Sequence, residues 1–79
     1  MTLDALARGV PARITAIDWA VLAEDEGKRL RALGLDLGAE VEVAHRGVFA
    51  GRDPLAVRVG SMTIALRRVH AAAMQVKAL

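Results

Sequence analysis

Apolar and polar residues alternate with a period of two in four stretches of the chain, the pattern of a strand with one buried face. In Ala12–Ile17, Ala12, Ile14 and Ala16 fall on one side and Arg13 and Thr15 on the other. From Glu40 to His45, Val41 and Val43 share a face, Glu40 and Glu42 take the opposite one, and His45 follows the valines in phase, which places it at a rim. Leu55, Val57 and Val59 alternate with Ala56 and Arg58, and after Gly60-Ser61 come Met62, Ile64 and Leu66. Two such runs around a two-residue glycine turn predict a β-hairpin. Met74–Lys77 gives a last short strand, and Gly47–Pro54, with two glycines, Asp53 and Pro54, reads as a loop carrying Phe49.

The helical signals are fewer. Glu24, Asp25 and Glu26 precede Lys28, Arg29 and Arg31, the charge order a helix dipole favours, and Leu30 and Leu33 lie on one side before Gly34. This predicts a helix over about residues 24–33. Gly27 costs about 1 kcal/mol in a helix interior unless close packing requires it, so the helix is expected to start late. Val69–Ala73 suits a single helical turn. Thr2 can cap a short turn whose Leu3 and Leu6 share a side and act as a plug, ended by Gly9 and Pro11. Asp18–Ala23 follows neither period. The fold class expected is mainly β: a small, partly open, SH3-like barrel of five short strands, with one inserted α-helix and a helical turn before the last strand.

Composition narrows the picture. Seventy-nine residues form one domain spanning residues 1–79, because a chain this short buries only about 60% of its unfolded surface. With 54% hydrophobic and 25% charged residues it is expected to fold. No apolar run approaches the roughly 20 residues of a membrane span, and Asp4 stands where a leader would be basic, so neither span nor signal peptide is expected. The absence of cysteine fits a reducing compartment, with the cytoplasm as default. Residues 1–45 hold eight acids against five bases, whereas residues 46–79 hold six bases against Asp53 alone. The second half is the basic half.

Candidate chemistry is sparse. The chain has two histidines, no cysteine and no tyrosine, and Ser61 lies in a turn without a Gly-x-Ser-x-Gly setting. No phosphate-binding glycine loop occurs. No catalytic residue, enzyme activity or cofactor is expected. A metal would have to use His45 or His70, whose spacing is not that of a ligand set, so no metal residue is expected; a metal-responsive sensor remains an alternative built on those two. A nucleic-acid surface would need Arg46, Arg52, Arg58, Arg67 and Arg68 on one face, with only Trp19 and Phe49 for bases to stack on. That reading ranks second, and the same shortage of aromatics argues against a proline-rich ligand. Protein contact remains. Trp19, Val21, Leu22 and Phe49 are large apolar side chains outside regular elements, and with Arg67 and Arg68 they are the partner-binding candidates. They either form an exposed surface, where homo-association is expected, or fold down to complete the core.

Arg29-Leu30-Arg31-Ala32-Leu33-Gly34-Leu35, Gly38 and Glu40-Val41-Glu42-Val43 resemble the Arg-Leu-x-x-Leu-Gly-Leu-x-x-Gly-x-x-Val-x-Val signature of the FeoA family, small accessory proteins of bacterial ferrous iron transport. Asp53-Pro54-Leu55-Ala56-Val57-Arg58-Val59 is similar to the family's Asp-Pro-Leu-x-Val-x-Val strand, and Leu66-Arg67-Arg68 with Ala71, Met74 and Val76 to its ending. Met1–Leu6, Gly9 and Ala12-Arg13-Ile14 match its opening, so the resemblance covers essentially the whole chain. It implies an SH3-like barrel in the cytoplasm that acts on FeoB, the membrane iron transporter with a cytoplasmic GTP-hydrolysing domain, and is recruited by it to the inner face of the membrane. Val69 and His70 depart from the two acids that commonly follow the double arginine. The same barrel also occurs, by resemblance, behind the DNA-binding domain of metal-dependent repressors, but no recognition helix is present here.

Overall fold

All the alternating segments form strands. The structure is a computed structural model that describes residues 1–46 and 53–79, without the side chain of Arg46; Phe49, Arg52 and most of the expected Gly47–Pro54 loop lie outside the described residues. The strands β1 (Ala12–Ile17), β2 (Glu40–Arg46), β3 (Leu55–Val59), β4 (Met62–Leu66) and β5 (Met74–Ala78) form one antiparallel sheet in the order β4-β3-β2-β1-β5. The helix α1 (Glu24–Ala32) lies between β1 and β2 in the chain, and α2 (Arg68–Ala71) links β4 to β5. Two 3₁₀ turns, Leu3–Ala5 and Trp19–Val21, complete the described elements. This is the expected mainly β, partly open barrel.

The core is built from the inward sides of the strands, with Leu3 and Leu6 closing one side as the expected plug and Leu30 and Leu35 contributed around α1. Each such side chain contributes about 1.5–3 kcal/mol by leaving water. Among the described residues, no polar or charged side chain is fully buried. Thr2, however, does not cap the first turn: its hydroxyl donates to the Asp4 carboxylate instead.

Strand phase departs from the sequence pattern at two places, each a register shift. Between Ile14 and Ala16 the β1–β5 pairing slips by one residue, so Ala16 is exposed and Ile17 turns partly inward. Between Val43 and His45 the β2–β3 pairing does the same, and His45 leaves the phase of the valines for solvent. An extra residue in one strand of a pair reverses the faces of everything beyond it.

Helix α1 starts at Glu24 rather than late, its first turn filled by the three carboxylates the dipole favours; Gly27 faces Trp19, where a Cβ would sit 3.4 Å from Cε3, an ordinary contact distance. Its other end is a Schellman turn. Leu35 N–H donates to Leu30 C=O at 2.9 Å and Gly34 N–H to Arg31 C=O at 3.0 Å, with Gly34 at φ +104°. The two leucines so joined, Leu30 and Leu35, are both fully buried, the apolar contact that accompanies this cap.

Candidate protein-contact site

The segment that followed neither period is what shapes the surface. Asp18 ends β1 and is tied to the far side of α2 by its N–H, which donates to Ala73 C=O at 2.8 Å. Its carboxylate accepts from Ala20 N–H at 3.2 Å and so opens the Trp19–Val21 turn. Within four residues that turn sends three side chains to three destinations. Trp19 is half-buried against Gly27, with the Arg31 guanidinium carbon 4.0 Å from its ring centroid, a cation–π geometry. Leu22, a contact candidate, joins the core instead at 7% exposure. Val21 remains 48% exposed.

Val21 forms part of one wall of a groove of about 510 Å³ lined by Ala16, Ile17, Asp18, Val69, Ala72, Ala73 and Gln75 besides itself. Val69, 54% exposed on α2, belongs to the same lining. Six of the eight lining residues are aliphatic, and Asp18 and Gln75 are its polar members. A second depression of about 310 Å³, lined in part by Trp19, Gly27, Lys28 and Arg31, lies on the other side of the turn.

Helix α2 is positioned by the chain before β3. Asp53 Oδ1 accepts from Arg68 N–H at 2.8 Å, supplying the cap that Arg67 in the preceding position cannot. Ala71 packs into the core, and the next positions round the helix, Val69 and Ala72 at i and i+3, line the groove. Val69 is a groove-lining residue that the sequence reading did not single out. Its signal was that same spacing, an apolar pair on the side of the helical turn opposite its core alanine. Arg67 and Arg68 are exposed at the start of α2, next to Val69 in the chain.

Arg58 is held by Glu42 across β2–β3 at 3.0 Å and Arg13 by Glu40 across β1–β2 at 3.5 Å, so these cations are paired with carboxylates on the sheet. The Glu26 carboxyl on α1 is held below its ordinary value, chiefly by the hydrogen bond that Arg29 Nη2 donates at 2.6 Å, and to a lesser extent by the charges of His70 and Arg67. His70 is half-buried, and its Nδ1 has no hydrogen-bond partner among the described residues. His45 is exposed on β2, and among the described residues no three histidine or carboxylate side chains gather as a metal would require. No helix of the described residues is long and apolar enough to cross a membrane.

Fold and sequence meet in the comparisons with known proteins. The solved FeoA protein of Chlorobium tepidum superimposes with a TM-score of 0.85 at 30% identity, over 100% of this chain and 70% of that one. A FeoA of Stenotrophomonas maltophilia solved with zinc, described as a procaryotic SH3 domain protein, gives 0.78 at 35% identity over 98% and 89%. The iron(II) transport protein A of Clostridium thermocellum gives 0.83 at 28% identity, this chain spanning 46% of its length. No curated protein matches the sequence. The profile described as the FeoA domain matches residues 1–78, which takes in every strand, both helices and both walls of the groove, and the chain belongs to the FeoA family.

Proposed function

We propose that this protein is an accessory factor of ferrous iron transport that works by protein contact, docking its groove on the cytoplasmic region of a FeoB-like transporter. It acts in the cytoplasm and reaches the inner face of the membrane through that partner. The observation that carries the reading is the aliphatic groove between the Trp19–Val21 turn and α2, with Val21 and Val69 exposed. An apolar cleft with polar groups at its edge is how a small domain holds another protein's side chains. Membership of the FeoA family supports the transport setting.

Calorimetric titration of the transporter's isolated cytoplasmic domain, with and without guanine nucleotide, tests it. Binding is expected, and Val21→Asp or Val69→Asp should weaken it at least tenfold, since each places a charge against the partner's apolar surface. Both valines are exposed, so folding should change by no more than about 0.5 kcal/mol. No association at high micromolar concentration in any nucleotide state, or association indifferent to both substitutions, would overturn the reading.

A further inference from the structure

The two edges of the sheet are treated differently by the chain. The outer side of β5 is covered: Val76 N–H donates to Met1 C=O at 2.8 Å, and Thr2 makes a bridge to Gln75. The outer side of β4 has no such cover among the described residues. Edge strands normally carry a lysine, a proline or a bulge that spoils pairing with another chain. The sequence of β4, Met-Thr-Ile-Ala-Leu, has no charge and no proline, and its five pairs with β3 run without a register shift, unlike the β1–β5 and β2–β3 ladders.

The free groups can be identified. Gly60-Ser61 is a two-residue turn with Gly60 at φ +59°, so the flanking pair Val59 and Met62 is a hydrogen-bonded one. Bonding then alternates: Met62, Ile64 and Leu66 face β3, and the N–H and C=O groups of Thr63 and Ala65 point outward. Neither Thr63 nor Ala65 has a side-chain or loop partner among the described residues. Met62, at the turn end, is 43% exposed.

We propose that β4 pairs antiparallel with β4 of a second copy of this chain, about a two-fold axis at Ile64. Thr63 of each copy then lies opposite Ala65 of the other, and all four outward groups on each strand are satisfied. Charge selects both occupant and direction. An uncharged strand offers nothing to attract a charged one and nothing to repel its own copy. Antiparallel pairing sets Arg67 and Arg68 of each copy beside the Gly60-Ser61 turn of the other, whereas parallel pairing would bring the four arginines together. The contact is small, a five-residue strand on each side, so the dimer is weak, and it leaves the groove lined by Val21 and Val69 open on both copies.

Sedimentation of the whole protein over a concentration series tests this, with amide exchange read residue by residue. A reversible monomer–dimer equilibrium is expected at high micromolar concentration, with exchange of Thr63 and Ala65 slowing as concentration rises. Thr63→Lys should weaken the dimer at least tenfold, while the melting temperature of the monomer, read at low concentration, falls only by the effect of the like charge of Arg58 opposite it on β3. The double variant Thr63→Lys with Ala65→Glu should restore it, because each lysine then meets a glutamate of the other copy. A protein that stays monomeric to about a millimolar, a dimer unaffected by Thr63→Lys, or a double variant no better than the single one would each overturn the proposal.

Discussion

Replacing Gly34 by alanine adds two costs at the end of α1 that a second glycine allows to be separated. Gly34 stands at φ +104°, in the half of backbone space where an L side chain costs about 1–2 kcal/mol. The added Cβ would also lie 3.2 Å from Val59 Cγ1, in the β3 side of the core. Val59 must yield by a few tenths of an ångström, and pushing a packed side chain off its rotamer costs about 0.5–1.5 kcal/mol. The total is about 2–3 kcal/mol, more than half of the roughly 3–5 kcal/mol a domain of this size commands without disulfides. At Gly38, φ +83°, an added Cβ would meet nothing within 4 Å, so Gly38→Ala carries only the first cost. Urea unfolding followed by Trp19 emission and far-ultraviolet dichroism should therefore rank wild type above Gly38→Ala and Gly38→Ala above Gly34→Ala, the last step being about 1 kcal/mol. In a thermal melt Gly34→Ala should unfold roughly 10–20 °C below wild type, at about 4–8 °C per kcal/mol for this length. Equal stability of the two variants would refute the steric contribution of Val59. A Gly34→Ala protein as stable as wild type would refute the Schellman assignment itself.

Asp53→Ala removes the cap on α2 and should destabilise by about 1 kcal/mol in the same urea assay, with Asp53→Asn retaining most of it because the amide oxygen still accepts. Glu26 has a folded-state pKa below its unfolded one, so its contribution is present above the ordinary glutamate range and lost as pH falls through the depressed value. Acid titration by dichroism should accordingly show wild type losing stability relative to Glu26→Gln below about pH 4.5, whereas parallel curves would contradict the Arg29 pairing. At Gly27 a methyl just fits beside Trp19, so Gly27→Ala should gain up to about 1 kcal/mol from helix propensity. Gly27→Leu should displace the indole, seen as red-shifted emission; an unshifted spectrum would show that Trp19 is not seated there.

The strands were legible because their alternation is decided residue by residue, and the Gly60-Ser61 turn because only glycine is comfortable at its first position. The two slips of phase were not, since an extra residue at Thr15 or Ala44 is set by how the paired strands must bend, which no single strand records. The start of α1 was misjudged for a related reason. Gly27 looks like a break in a helix read alone, whereas its cost is small enough for the acidic first turn and the packing of Trp19 across that position to carry the helix through it. Of the contact candidates, Val21 was legible as an apolar residue outside any periodic run, but the destinations of Trp19 and Leu22 depended on a three-residue turn that carries no period. Val69 was hidden among alanines whose orientation follows from the Asp53 cap, a contact fifteen positions away. That no described residue covers the outer side of β4 follows from strand order, which is a property of the assembled sheet.

The indole of Trp19 has a practical use as well as a packing role. It is the chain's single tryptophan and there is no tyrosine, so nearly all the ultraviolet emission of the protein comes from one ring wedged between a guanidinium and a helix, two residues from the valine on the groove wall. A partner that shifts that turn will report its own arrival as a colour change, with no label attached.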